Sequence, residues 1–429
     1  VTKSGTTGST DKAVFGQLGG YPKALALSGV LMLVLSLLPG IPMVPFVGLS
    51  IVISGLAFFL YQKEISNEIA AETLLLEANQ NEIEEEPLSS VLHIDQVRLE
   101  LGYGLLPLVS ETDENYRLTD QIKSLRRQIA SESGFIMPQV RIQDNLQLPP
   151  NTYVVRIKEI EVGSSDIRPN RLLVMDASGD SIDLPGTETT EPTFGLPAMW
   201  VDPENREEAT FKGYTVVDPA TVITTHLTEL IRDNMSELLS YIETQNLLDE
   251  LPNEHQKLVG EVVPNQISVG GIQRVLQNLL NERISIRDLS TILEGISEAC
   301  AFTRNVTQIT EHVRSRLSRQ ISEQNSTEDN FIPLVTLSAE WEQIFAESII
   351  DQGEDKQLSM PPSQLQRFIE AVRLTLDDLS ESGESPVVLT SPAARPFVRS
   401  IIERFRPTAN IMSQNELHPK AKIKTLGQI

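Results

Sequence analysis

The chain has 429 residues, 40% of them hydrophobic and 22% charged, with 59 acidic against 35 basic side chains and a formal net charge of -24. At roughly 100–150 residues per domain the length predicts two to four compact units able to bury cores. The acidity excludes a nucleic-acid binder, because phosphate contacts need clustered Lys and Arg. The one cysteine, Cys300, excludes an internal disulfide and reads as a buried small apolar side chain.

The chain starts at Val1 with no secretory leader pattern, and it reads as the later part of a longer protein. From Ala24 to Leu38 no residue is charged, and after Pro39-Gly40-Ile41-Pro42 a second uncharged run extends from Met43 to Leu60. Two such runs bounded by Lys23 and Lys63 predict an α-helical transmembrane hairpin, with the alternative of a buried soluble hairpin. Lys3, Lys12, Lys23 and Lys63 put both ends, and so the remainder of the chain, in the cytoplasm. With no ionisable residue between Ala24 and Leu60, the hairpin is an anchor and offers no proton relay.

Between Glu64 and Glu86 stand eight Glu and no Lys or Arg. Such a segment is either a solvated tether or a docking strip for a basic helical protein. A folded region is expected from Val91, with strand-like patterning over Val91 to Val109 and an amphipathic helix over Leu118 to Ile129. In "NTYVVRIKEIEVG" Tyr153, Val155 and Ile157 alternate with Val154, Arg156 and Lys158, which predicts a half-buried strand. "RLLVMD" predicts another strand, and "ASGDSIDLPGTETTEPTFG" predicts exposed loops from its Gly, Pro, Ser and Thr density.

Thr221 to Leu248 is patterned as helix, and so is most of the stretch onward to Ile321. Ile272, Val275, Leu276, Leu279 and Leu280 share one stripe at i, i+3, i+4, i+7, i+8. Ser285 with Asp288 resembles a capping box ahead of Leu289, Ile292, Leu293 and Ile296. "FIPLVTLS" and "SPVVLTSP" predict buried strands, Pro362 to Leu379 and Ala393 to Phe405 predict helices, and Lys420, Lys422 and Lys424 alternate along a sheet edge that they blunt.

Phosphate-loop, nucleophile-elbow and His-Glu-x-x-His signatures are absent, and the five histidines, His93, His226, His255, His312 and His418, are scattered without metal-ligand spacing. No cofactor is expected, and the chain is not expected to be an enzyme. A hydrolase working through His226 is the competing view. A cluster of Thr187, Thr189, Thr190, Glu191 and Phe194 before Gly195-Leu196-Pro197 stands out, because loops gather binding residues. On spacing alone Phe194 either caps the local core or anchors a partner.

The blocks "VRIQDNLQLPPNTYVVRIKEIEVG", "LPGTETTEPTFGLPAMWV", "GYTVVDPATVITTHL" and "VLQNLLNERISIRDLSTILE" resemble, in order and over nearly the whole chain, the FlhA/InvA/LcrD family of type III secretion export-gate proteins, in its flagellar branch. The resemblance implies a multi-pass protein of the bacterial inner membrane, with roughly six further spans before Val1. Its fold would be an α/β multi-domain cytoplasmic region, of small mixed α/β subdomains plus a helical one, attached to the transmembrane hairpin. Its implied divisions are a cytoplasmic loop remnant (1–20), the hairpin (21–61), the acidic linker (62–96), a first subdomain (97–169 with 219–238), an inserted second (170–218), a helical third (239–318) and a fourth α/β subdomain (319–429).

By the same resemblance Glu191, Phe194 and Thr225 occupy the acidic, aromatic and threonine positions of a chaperone-docking dimple between the first two subdomains. Glu191 stands where the family more often has Asp. Implied partners are flagellar export chaperones with bound cargo, the export ATPase stalk protein through the acidic linker, other membrane gate subunits and identical copies in a nine-membered ring. Alternatives are the gate of a virulence injectisome and a proton-conducting transporter subunit.

Overall fold

A computed structural model of the chain describes residues 27–28, 30–31, 33, 47–55, 57–59, 94–110, 117–176, 181–352, 355–381 and 383–429. The chain divides into two units, Val1–His93 and Ile94–Ile429. In the first, the described residues are helical, and no described helix is long and apolar enough to cross a membrane. Most of the expected transmembrane hairpin, and the whole acidic run from Glu64 to Glu86, lie outside the described residues.

The second unit opens with a four-stranded sheet in the order β2-β1-β3-β4, formed by β1 (Val97–Leu101), β2 (Val140–Asp144), β3 (Thr152–Ile157) and β4 (Ile160–Asp166). Among the described residues of the stretch patterned as strand over Val91 to Val109, β1 is the one strand. A 3-10 turn at Tyr103–Leu105 and a short helix at Pro107–Ser110 follow it. Alternation along β3 holds in part: Tyr153, Val155 and Ile157 are buried against Val97, Leu99 and Leu101, but Val154 on the opposite face is buried too, so the strand is covered on both sides there. The segment "NTYVVRIKEIEVG" is nevertheless a hairpin. Ile157 pairs with Ile160 across Lys158 and Glu159, both at positive φ (48 and 70). Two-residue turns of this kind are normally signalled by Asn-Gly or Asp-Gly, and Lys-Glu carries no such signal.

Helix α1 (Leu118–Ser133) lays Leu118, Ile122, Leu125 and Ile129 on the core. It ends at Gly134, whose φ of +69 suits a left-handed cap, and whose Cα faces the Arg287 backbone so closely that a Cβ would stand 2.4 Å from Arg287 N. Gly134→Ala should therefore cost about 1–2 kcal/mol from the left-handed conformation alone. The clash adds to that, and a lowered urea midpoint at unchanged slope would register both.

A second four-stranded sheet, all antiparallel in the order β6-β7-β5-β8, contains β5 (Leu172–Met175), β6 (Gly186–Thr190), β7 (Pro197–Val201) and β8 (Thr215–Val217). It has a small core of its own around Val174, Val201 and Ala209. Here the expectation of loops is corrected in part. Gly186–Thr190 is a strand, because its three threonines are β-branched and find a partner in β7.

The next stretch is helical, with α2 (Pro219–Asp233), α3 (Val269–Asn281), α4 (Leu289–Cys300) and α5 (Val306–Arg316) among its elements. The α3 stripe is fully buried, and Leu289, Ile292, Leu293 and Ile296 line the inner face of α4. The capping box at Ser285 does not form. Asp288 caps α4 itself, accepting from Thr291 N at 3.1 Å. Cys300, at the end of α4, is half-buried at the margin of the core instead of inside it. One apolar cluster runs from β1 and α1 through these helices to Ile332, Leu334, Val387 and Met412 in the last part of the chain.

The last part is a parallel four-stranded sheet, β13-β12-β9-β14, made of β9 (Phe331–Thr336), β12 (Val387–Thr390), β13 (Ile411–Ser413) and β14 (Lys422–Gln428). Ile332, Leu334 and Val335 are all buried, as expected of a parallel strand covered on both faces. Helices α6 (Ala339–Ser348), α7 (Pro362–Glu381) and α8 (Arg395–Ile402) accompany it, with a small hairpin of β10 (Ile349–Gln352) and β11 (Asp355–Leu358). β14 is an edge strand carrying Lys422 and Lys424 outward, while Lys420 precedes it.

Candidate functional site

Three of the residues singled out above fall at the β6–β7 turn and on α2. Thr190 and Pro197 form the last pair of the hairpin, and Glu191 N donates to Leu196 O at 2.9 Å beyond it. Gly195 N donates back to Glu191 O at 3.1 Å, with Gly195 at φ +70, a conformation that favours glycine. The Glu191 carboxylate then accepts the Phe194 N–H at 2.6 Å. This charge-assisted bond fixes the turn from inside. Glu191 is consequently only 4% exposed, whereas Phe194 on the same turn is 65% exposed. The acidic side chain expected to meet a partner points inward, and the aromatic points out.

Two further buried side chains, on β3 and α2, meet each other. Tyr153, fully buried on β3, lies with its hydroxyl 2.6 Å from His226 Nδ1 on α2, and the rings are edge-on with centroids 5.8 Å apart. Burial pushes the Tyr153 phenol far above its ordinary value, and the Glu191 charge adds to the effect. Burial also holds the His226 imidazole below its ordinary value, with Glu191 opposing.

Thr225 itself faces elsewhere. It lines an open cleft of about 740 Å³ between α1 and α2, with Gln121, Gln128, Thr221, Thr224 and Thr228 around it. Asp218 caps α2 through Thr221 N at 3.0 Å, and the Thr224 hydroxyl donates to Gln121 Oε1 at 2.8 Å, so the cleft wall is already ordered. Glu191 and Phe194 are not among the residues lining this cleft. Hydroxyls and amides at such a cleft suit hydrogen bonding to a polar protein surface and carry no nucleophile–base arrangement.

Among the described residues no three His, Cys, Asp or Glu side chains are grouped to hold a metal ion. His226 is a satisfied buried residue, His312 pairs with Glu298 at 3.0 Å, and neither adjoins an activated nucleophile. Reading the sequence missed the Tyr153–His226 pair. The only available signal was that Tyr153 falls on the inward phase of its strand and His226 on the inward stripe of α2. It missed too a buried ionic cluster of Glu282, Glu311, Arg314, Arg395 and Glu416 between the helical part and the last sheet.

The model of the FHIPEP family matches residues 1–422 of the chain. The chain is 50% identical over 429 residues to the flagellar biosynthesis protein FlhA of Caulobacter vibrioides, covering 100% of this chain and 61% of that protein. To FlhA of Bacillus subtilis it is 35% identical over 430 residues, covering 63% of that protein. The chain therefore spans about three-fifths of the length of these relatives. Among solved structures, the CdsV protein of Chlamydia pneumoniae is 25% identical with a TM-score of 0.71, over 78% of this chain and 98% of that one. A nonameric SctV-C of EPEC has a TM-score of 0.63 at 22% identity, over 78% of this chain and 98% of that one, and shares the fold.

Proposed function

This chain belongs to the FHIPEP family, of type III secretion export-gate proteins, and from that premise we propose that it docks chaperone-bound cargo for the flagellar export apparatus. The observation that carries the reading is Phe194, a large aromatic 65% exposed on a turn held rigid by a buried carboxylate. An exposed, pre-ordered aromatic is the kind of residue that anchors an interface, since it brings contact area at low entropic cost. Glu191 shapes the turn, and Thr225 offers a hydroxyl in the separate cleft between α1 and α2. The occupant is a helical segment of a flagellar chaperone lying against this surface. Binding of this kind needs no covalent step and no cofactor.

The wider setting belongs to the same proposal. The chain is the later part of a multi-pass inner-membrane protein, its large second unit cytoplasmic, assembled with identical copies into a ring and with other gate subunits in the membrane. Export is driven by the proton gradient, and the acidic run from Glu64 to Glu86 meets a basic stalk protein of the export ATPase. A nonameric relative and a complex of CdsV with CdsO support the ring and a further protein partner. The flagellar assignment is supported by 50% identity to a flagellar biosynthesis protein, against 25% or less to the solved CdsV, MxiA and InvA structures.

Calorimetric titration of the chain with a chaperone–flagellin complex tests the reading. Phe194→Ala is expected to lose about 2 kcal/mol of binding, the size of a hot-spot aromatic. Its thermal midpoint should stay within experimental error of the parent, because the side chain is mostly in solvent. Equal binding by parent and variant would move the site elsewhere. Binding of an injectisome chaperone in place of every flagellar one would reverse the assignment.

A further inference from the structure

We propose that the outer edge of β6 is a second docking element beside Phe194, and that it takes an extended segment of the docked chaperone–cargo complex by strand addition. This role for β6 rests on the docking reading above and goes beyond it, since a helix lying on Phe194 leaves the strand edge unused. β6 is an outermost strand of the second sheet, and its chain runs directly into the turn that presents Phe194. Gly186, Thr187, Glu188 and Thr190 are exposed, and Thr189 is half-buried. The Thr187 hydroxyl accepts from Arg171 Nη1 at 2.9 Å, so the strand is held in place before a partner arrives.

The register fixes which backbone groups point outward. Glu191 N donates to Leu196 O at 2.9 Å, so the bonded pairs of the antiparallel ladder recur two residues back, at Thr189–Ala198 and Thr187–Trp200. Pro197, which has no N–H, accordingly stands opposite Thr190 in a non-bonded pair. The N–H and C=O groups of Gly186, Glu188 and Thr190 therefore face away from β7. Among the described residues no backbone group of another element bonds to them. The described part of the segment ahead of β6 lies elsewhere, with Ile182 and Leu184 against the small core and Asp183 N donating to the Tyr214 hydroxyl at 3.3 Å. Outward groups on alternate residues recur roughly every 7 Å, a spacing that extended backbone matches. A helix cannot, because its own N–H and C=O groups are bonded internally. Other edges of this unit are blunted. β14 carries Lys422 and Lys424 and a register shift, β4 meets β3 across another shift, and β8 and β13 are three residues long. β6 has five residues, three of them threonines, with no Lys, Arg, Pro or shift, and Glu188 is its one charge. The occupant is thus an extended segment with Lys or Arg opposite Glu188.

The test follows single backbone amides of the intact chain by residue-resolved hydrogen exchange, alone and saturated with a chaperone–flagellin complex. Alone, the Thr187 and Thr189 amides should be protected and those of Glu188 and Thr190 should not. On binding, the latter two should slow by roughly tenfold, the upper range for gaining one hydrogen bond. Glu188→Pro removes an outward donor and spares every bond to β7, so its thermal midpoint should match the parent while affinity falls roughly fivefold. Glu188→Gln keeps the donor and drops the charge, and should lose about twofold. Glu188 and Thr190 amides that stay fast in a complex that forms overturn the proposal, as does full affinity in a folded Glu188→Pro chain. Should that variant not fold, the parent's amides decide alone. Protection that grows with chain concentration in the absence of partner would assign the edge to a second copy of the chain and likewise overturn it. A parent chain that binds no complex at all would sink the docking reading, and the role of β6 with it.

Discussion

Replacing Arg395 by methionine is expected to cost the chain about 3–5 kcal/mol of stability, the range for stranding buried charges by removing their partner. Arg395 opens α8 and reaches across to α3 and α5. Its guanidinium donates to Glu282 at 2.7 and 3.0 Å and to both oxygens of Glu311, and it lies 3.6 Å from Glu416. Arg314 completes the cluster through Glu282 at 3.0 Å and Glu416. Three carboxylates thus share two buried guanidiniums, so the loss of Arg395 enlarges the surplus of negative charge in a largely buried site.

The pH dependence follows from the two partners. Burial raises the Glu282 carboxyl, but the Arg395 and Arg314 charges outweigh it and hold the group below its ordinary value. Glu282 therefore contributes stability above its unfolded value, lost as pH falls through the folded one. Glu311 is raised, with burial the larger influence and Arg395 only partly offsetting it. Its contribution is present below the unfolded value and lost as pH rises through the folded one. In Arg395→Met both carboxyls shift upward, so the deficit should be greatest near neutral pH and shrink through the acidic range. Urea unfolding at several pH values measures this. A deficit below about 1 kcal/mol at neutral pH, the scale of an exposed pair, would mean the cluster is solvated.

Phe368→Ala should cost about 3–5 kcal/mol, the range for a buried aromatic whose cavity cannot collapse. Phe368 projects from α7 and is fully buried. Its ring meets Trp341 edge-on at 5.1 Å and Phe345 at 5.0 Å, both from α6. Removing it leaves two aromatic neighbours without their shared partner under the last sheet. Tryptophan fluorescence should report an earlier transition for that part of the chain. Phe368→Leu should recover more than half of the loss, because it refills most of the volume.

How much of this was legible beforehand depends on the range over which each feature is specified. The α3 stripe, the inward face of β3, the β9 and β12 strands and the α1 helix were readable, because periodic burial is written into local spacing. The Lys158–Glu159 turn and the β6 strand were not. The first uses positive φ without the usual residues, and the second depends on pairing with β7. The cap of α4 was misplaced by three residues because Ser285 and Asp288 are both good capping types, and only the path of the chain chooses between them.

The site divides the same way. Glu191, Phe194 and Thr225 could be named from a family likeness carried by ordered blocks of sequence, and the acidity, the apolar runs and the absence of nucleotide, metal and nucleophile signatures were plain from composition and spacing. Which way each side chain faces was decided only by tertiary structure. Glu191 turns inward because its carboxylate finds the Phe194 N–H, Phe194 is left in solvent on that turn, and Tyr153 and His226 meet across 73 positions of sequence. The ionic cluster joins positions as far apart as Glu282 and Glu416. Local spacing determines which face of a helix or strand is buried, since that is set by backbone geometry alone. Hydrogen bonds and ion pairs between distant segments depend on how the chain closes upon itself, and no local pattern records that.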